Sequence, residues 1–458
     1  MQTPSGRSPE GVFVTSRLRV WNYYARQPHL PPICLRLRAL NRTLRYRRFM
    51  RLEQPHRTER FGAVRIHELQ RVIELDSGAQ RGADQGGSHS QLVPPDAMRV
   101  VEEELVVVIP CMNETRRVIE GVLSGIPHDC LIILVSNSAR QPVDRYEIEV
   151  QSLEQFCRSA ERPAMAIHQR DPGLAAAIKA AGMPELIDDE GLVRTGKGEA
   201  MLIGMAMAAM TGRRYLGYVD ADNYVPGAVN EYCKAYAAGL HLASADSPYS
   251  MVRISWHSKP KLRDGRLFFS RRGRSSEVTN MFLNRLVAEY SGFGTEVIAT
   301  GNAGEHALSL ELGMQMRLAG GFAVEPFEYV ELFEQFGGVL PVVSAHALPH
   351  SVPVLQIETR NPHFHDNKGE DHVKGMRMQA LNVLYHSPVA LPAVREAILE
   401  FMVSEGALVP GQEPPRERIY PPVGSLAFDT FLDALTSEAT SFRQVGRELA
   451  KVDRHPFG

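Results

Sequence analysis

Three short apolar runs, each closed by a polar cluster, constrain this chain most. Residues 105–109 are a near-continuous stretch of Leu, Val and Ile; residues 131–135 and 215–219 repeat the pattern. Runs without hydrophilic alternation suit strands covered on both faces. Helix-like segments over 115–123 and 199–210 separate them. Strands alternating with helices predict an α/β fold, a mostly parallel sheet flanked by helices. Ligands of such sheets bind beyond the carboxyl ends of the strands. The polar segments 110–114, 136–138 and 220–223 occupy those ends and are expected to converge, although far apart in sequence.

At 458 residues, the chain exceeds one small core and fits two to four domains or one large domain with additions. Its 44% hydrophobic and 23% charged residues are ordinary for a globular protein. A net charge of −2 gives no general affinity for nucleic acid or an anionic membrane. The five cysteines, Cys34, Cys111, Cys130, Cys157 and Cys233, have no Cys-x-x-Cys spacing. That argues against a zinc ribbon or a disulfide framework and suits a reducing, cytoplasmic location. No apolar run reaches the roughly 18 to 20 residues of a membrane helix.

Five segments are expected. Residues 1–49 carry ten arginines and a single acid, Glu10, and read as a disordered extension, upstream translation or a transit peptide. Residues 50–98 form a lead-in with a helix-like stretch at 66–75 and a Gly/Ser-rich loop. Residues 99–300 are the α/β core, 301–390 a part that follows it, and 391–458 a helical region broken by prolines.

Asp220 and Asp222 follow the third apolar run. Side chains at i and i+2 of an extended chain share a side, so both can meet one divalent cation; a cap or turn is the plainer role for such a pair. Asn113 and Glu114 can touch a nucleotide, start the next helix, or do both. The stretch 191–198 approaches a phosphate-binding loop but has Gly198 where Ser or Thr is needed and no strand before it. Its glycines still let Lys197 approach a diphosphate, or leave it solvated. Residues 300–306 read as the opening of a helix, capped or anion-binding. His363 and His365 lie in a polar Pro-led loop where one imidazole can join a carboxylate-bound metal. Arg253, Lys259, Lys261 and Arg263 either hold an acidic acceptor or form charged surface. No nucleophile elbow, His-Glu-x-x-His or Gly-x-Gly-x-x-Gly motif is present, which weakens hydrolase, metalloprotease and dehydrogenase readings.

Taken in order, several of these segments resemble the mannosyl-3-phosphoglycerate synthases, a family of retaining GT-A glycosyltransferases. The motifs are Ile109-Pro-x-x-Asn-Glu114, Gly196-Lys-Gly-Glu-Ala-Met201, Val219-Asp-Ala-Asp-Asn-Tyr-x-Pro-Gly-Ala-Val-Asn-Glu231, Thr300-Gly-Asn-Ala-Gly-Glu-His306 and Ile357-Glu-Thr-x-Asn-Pro-His-Phe-His365. The resemblance implies transfer of mannose from GDP-mannose to the 2-hydroxyl of 3-phosphoglycerate with α-retention, in mannosylglycerate synthesis. It implies Asp220, Asp222 and Lys197 as catalytic residues. Pro110, Asn113, Glu114, Ser136, Lys197, Asp220 and Ala221 would bind the nucleotide. Arg253, Thr300, Gly301, Asn302 and Ala303 would bind the acceptor. Asp222, with Asp220 and a histidine assisting, His363 preferred over His365, would hold Mg²⁺ or Mn²⁺. The Asp-x-Asp-x-Thr motif of a fused phosphatase is missing, so a separate phosphatase is expected downstream; a homodimer is one admissible assembly. A glucosyl-transferring relative and a non-catalytic nucleotide-sugar sensor are the alternatives.

Overall fold

A computed structural model describes residues 50–75, 90–263, 265–270, 273–341, 349–364 and 369–446. The expectations for residues 1–49, for most of the Gly/Ser-rich loop and for His365 lie outside the described residues.

The strands, in chain order, are β1 (Met50–Glu53), β2 (Thr58–Phe61), β3 (Val64–His67), β4 (Gln70–Leu75), β5 (Ser90–Val93), β6 (Leu105–Cys111), β7 (Leu131–Ser136), β8 (Ala164–His168) and β9 (Tyr215–Tyr218). They continue as β10 (Met251–Ser255), β11 (Lys259–Arg263), β12 (Arg266–Ser270), β13 (His306–Ser309), β14 (Leu318–Ala319), β15 (Val352–Glu358), β16 (Ile419–Tyr420) and β17 (Arg443–Val445). Among the described residues, one sheet runs β17-β8-β7-β6-β9-β13-β10-β15-β4-β1-β5, with β3 also beside β15 and β2 beside β3. β8, β7, β6 and β9 are mutually parallel. β13 is antiparallel to both its neighbours, and β10 and β15 are parallel again.

The apolar runs explain this core. Val106, Val108, Ile133 and Val135 pack into one hydrophobic layer, while Val107, Ile109, Ile132 and Leu134 pack into the other. Successive side chains point to opposite faces, so a strand covered on both sides must be apolar throughout. The helix Lys197–Ala209 covers the first face and the helix Pro226–Ser244 the second. At Gly204 the first helix comes so close that an added Cβ would strike Val108.

Two local expectations are corrected. Residues 66–75 are not helical: they contribute β3 and β4. Val64 and Ile66 point inwards while Arg65 and His67 are less buried, a period of two stabilised by pairing with β15. Residues 300–306 do not open a helix either. They make a turn, with Ala303 N donating to Thr300 O, and run into β13. The C-terminal part is helical at Pro392–Ser404 and Phe428–Glu438, but it also supplies β16 and the edge strand β17. Cys111, Cys130, Cys157 and Cys233 are free and buried. Among the described residues no helix is long and apolar enough to cross a membrane.

Candidate active site

The carboxyl ends of β6, β7, β8, β9, β10 and β15 all give onto one cleft of about 690 Å³. Its wall holds residues 110–114, Asn137, Gln169, residues 195–197 and 220–222, Trp256, Lys259, Asn302, Gly304, Glu325 and His363. His372, Met376 and Gln379 of the helix Glu370–His386 complete it. A second hollow of about 390 Å³, lined by Arg214, Asp246 and His350, contains no sequence-predicted site residue.

At the floor, Lys197 begins its helix and lies between two carboxylates. Its Nζ is 2.6 Å from Asp220 Oδ1 and 2.7 Å from Glu325 Oε1. Burial alone would favour the neutral amine, but Asp220 and Glu325 outweigh it and hold the pKa above the ordinary lysine range. The two carboxylates therefore favour the ammonium form. Gly304 closes over this pair: a Cβ there would come within 2.5 Å of Asp220 Oδ2 and 2.8 Å of Lys197 Nζ.

The Asp220–Asp222 segment is a tight turn. Asn223 N donates to Asp220 O, and Tyr224 N donates to Asp222 O. Asn223 Nδ2 donates to Glu305 Oε1 at 2.6 Å. Glu305 is fully buried, and its other oxygen accepts from Trp256 Nε1 at 3.0 Å. Burial and the neighbouring Asp220 push its pKa up to about 8.

Asp222, 9% exposed, and His363, 4% exposed, line the cleft together. The His363 ring stacks on Trp256 with centroids 3.9 Å apart and an interplanar angle of 12°. Tyr232 Oη lies 3.4 Å from His363 Nδ1. The loop carrying His363 is anchored by Glu231, which accepts from the backbone N–H groups of Arg360 and Asn361 and from Asn361 Nδ2. Asp222 offers carboxylate oxygen and His363 an imidazole nitrogen, a donor set suited to a divalent cation. Among the described residues, no three His, Cys, Asp or Glu side chains are arranged to hold a metal by themselves.

Several sequence-predicted residues face elsewhere. Arg253 does not reach the cleft. It is wholly buried, donating to Thr300 O at 3.0 Å and Glu325 O at 2.9 Å, and ion-paired with Glu328. It braces the turn from behind, and Lys259 of the same segment lines the cleft. The Thr300 hydroxyl pairs with Tyr329 Oη and Gln356 Oε1, and Gly301 N donates to Asn280 Oδ1. Of residues 300–303 only Asn302 lines the cleft, and both of its amide atoms are buried without a hydrogen-bond partner. Ser136 donates to Glu149 and is fully buried; its neighbour Asn137 lines the cleft instead. Pro110, Asn113, Glu114 and Ala221 do line it. Asn113, at φ 62°, accepts through Oδ1 from Ala139 N, so it ties the β6 and β7 loops together, while Thr115 starts the helix.

Glu325, Glu305 and Trp256 were not singled out from the sequence. Glu325 opens a helix, Val324–Gln335, that is buried throughout and gives no periodic signal. Glu305 sits inside the Thr300–His306 motif, and that motif was its one available clue.

The family model described as mannosyl-3-phosphoglycerate synthase matches residues 54–435. A mannosyl-3-phosphoglycerate synthase of Pyrococcus furiosus is 40% identical over 398 residues, covering 87% of this chain and 100% of that protein. One from Aeropyrum pernix is 35% identical over 395 residues, covering 86% and 99%. A solved glucosyl-3-phosphoglycerate synthase from Mycobacterium tuberculosis, in complex with Mn²⁺, UDP-glucose and phosphoglyceric acid, is 19% identical. It aligns over 71% of this chain and 93% of its own, with a TM-score of 0.43. On the extent of the family match and the identity to these relatives, this chain belongs to the mannosyl-3-phosphoglycerate synthase family.

Proposed function

We propose that the cleft transfers a mannosyl group from GDP-mannose to the 2-hydroxyl of 3-phosphoglycerate, releasing GDP. Family membership supports the reaction. The observation that carries the assignment to this cleft is the convergence of Lys197, Asp220, Asp222, Asn302 and His363 on its wall.

Asp222 and His363 would hold a Mg²⁺ or Mn²⁺ ion beside the donor diphosphate. Such an ion would supply Lewis-acid stabilisation of the leaving GDP. Lys197 supplies a second, fixed positive charge at the same place. Pre-oriented charges in a site that excludes water stabilise a developing oxyanion without reorganising. Asp220 acts by placing that ammonium. Asn302, with both amide atoms unpartnered, and Lys259 face the cleft where a polar, doubly acidic acceptor would sit.

Retention follows from attack on the face that the diphosphate leaves. The C1–O bond to phosphate breaks, the bond from C1 to the acceptor oxygen forms, and the hydroxyl proton passes to the departing phosphate oxygen. The product keeps the acceptor's phosphate.

A donor-by-acceptor panel tests this. GDP-mannose and UDP-glucose are each offered with 3-phosphoglycerate, with Mg²⁺, Mn²⁺ or EDTA, and products are read by mass. The expected result is hexosylated phosphoglycerate from GDP-mannose, abolished by EDTA. Folded protein that makes none overturns the proposal, and product from UDP-glucose alone reassigns the donor.

A further inference from the structure

We propose that Glu305 and Trp256 are positioning residues that hold the two protein ends of the cation site, Asp222 and His363, in a fixed relation. The proposal rests on the reading of those two residues as ligands.

The two ends come from distant places: Asp222 follows β9 and His363 follows β15. They sit on separate loops, and loops alone fix a geometry poorly. One buried carboxylate joins them. Glu305 Oε1 accepts from Asn223, the residue next to Asp222, at 2.6 Å. Glu305 Oε2 accepts from the Trp256 indole N–H at 3.0 Å. The other side of that indole is a platform for His363, stacked at 3.9 Å and 12°. The chain of contacts is therefore Asp222 turn, Asn223, Glu305, Trp256, His363.

Each link does what a bystander in the core would not need to do. A fully buried carboxyl group is costly unless both oxygens are bonded, and here the two donors come from the two halves of the site. The stack sets the plane of the imidazole. Tyr232 Oη lies 3.4 Å from Nδ1 and adds a second contact to the same ring. Outer partners of this kind orient a ligand without touching the metal.

Mn²⁺ binding in the presence of GDP, read by electron paramagnetic resonance, measures this without turnover. The chain has two tryptophans, Trp21 and Trp256. In a Trp21→Phe background the only indole is the one on His363, and paramagnetic Mn²⁺ should quench it. Trp256→Leu removes both the stack and the N–H, and is expected to raise the Kd for Mn²⁺ about 10- to 100-fold. Trp256→Phe keeps a ring but not the donor and should fall between parent and Leu; Glu305→Gln should weaken binding similarly. These last two carry the test if Trp256→Leu fails to fold. Parental Kd in all three, while Asp222→Ala loses Mn²⁺, overturns the positioning role and leaves the site reading intact. Parental Kd in Asp222→Ala and His363→Ala as well places the cation elsewhere and overturns both.

Discussion

Lys197 Nζ lies 2.6 Å from Asp220 Oδ1, so the first aspartate of the Asp-x-Asp pair is committed to a lysine. The pair thus divides: Asp220 holds a cation supplied by the protein, while Asp222 lines the cleft beside His363. Glu325 takes the same ammonium from the other side at 2.7 Å.

Replacing Lys197 by Met should therefore do two things. It leaves Asp220 and Glu325 facing each other around a lost charge, and breaking such a buried pair costs about 3–5 kcal/mol. It also removes the fixed charge from the leaving group, with turnover expected to drop about 100- to 1000-fold. Urea unfolding and steady-state kinetics check the two separately. Unchanged turnover in a folded variant would show that the lysine serves structure alone.

Asp222→Ala and His363→Ala address the added cation. Both should lower kcat, Asp222→Ala by about 100-fold or more, and both should raise the Mn²⁺ concentration needed for half-maximal rate. His363→Ala is expected to shift the metal requirement more than His365→Ala. The reverse order would move the ligand assignment within the pair.

Much of this site was legible because the strands beneath it were. β6, β7 and β9 are continuous apolar runs, and a parallel sheet delivers whatever follows such runs to one edge. That logic located Asp220, Asp222, Asn113 and Asn137's loop without any contact being known. It failed where a residue's surroundings come from distant sequence. Arg253 lies between Val252 and Ile254 and reads from sequence as an acceptor-binding cation, or as one of several surface cations. In the sheet it shares a face with Met251 and is buried against Glu328, 75 residues away. Ile66 and Val72 fit both a helical and a strand reading over 66–75, and pairing with β15 and β1 settled it for strands. Glu325 was invisible because every residue of its helix is buried.

Gly304→Ala tests the close approach over the Lys197–Asp220 pair. The new Cβ would stand 2.5 Å from Asp220 Oδ2, so the carboxylate or the turn must move. Overpacking of this kind costs about 1–3 kcal/mol. Turnover should fall by more than the folded fraction does, since the displaced groups are the catalytic ones. Wild-type kinetics with unchanged stability would mean the turn relaxes freely.

Asn302→Ala should separate function from stability. Both amide atoms are buried and without a hydrogen-bond partner, which is costly to the fold. Removing them should leave stability unchanged or raise it by up to about 1 kcal/mol, while KM for 3-phosphoglycerate rises about tenfold or more and KM for the donor stays put. A rise in the donor KM instead would place Asn302 against the sugar.

Glu328 provides the pH-dependent case. It is fully buried, ion-paired with Arg253, and its Oε1 is 2.9 Å from His306 Nε2. Burial alone would raise its pKa, but His306 and Arg253 more than offset this and hold it below the ordinary carboxylate value. A depressed folded pKa means that the charged form stabilises the fold. That contribution is complete above the unfolded value, about 4.3, and is lost as pH falls through the lower folded value. Glu328→Gln strands the Arg253 cation in the core and should cost about 3–5 kcal/mol near neutral pH. Because protonation makes the parent resemble the variant, the gap should be constant from pH 7 to 5 and narrow below about pH 4. Urea titrations of both proteins at pH 7, 5 and 3.5 measure it. A gap that persists undiminished at pH 3.5 would mean the side chain's shape and hydrogen bonds, rather than its charge, hold Arg253 in place.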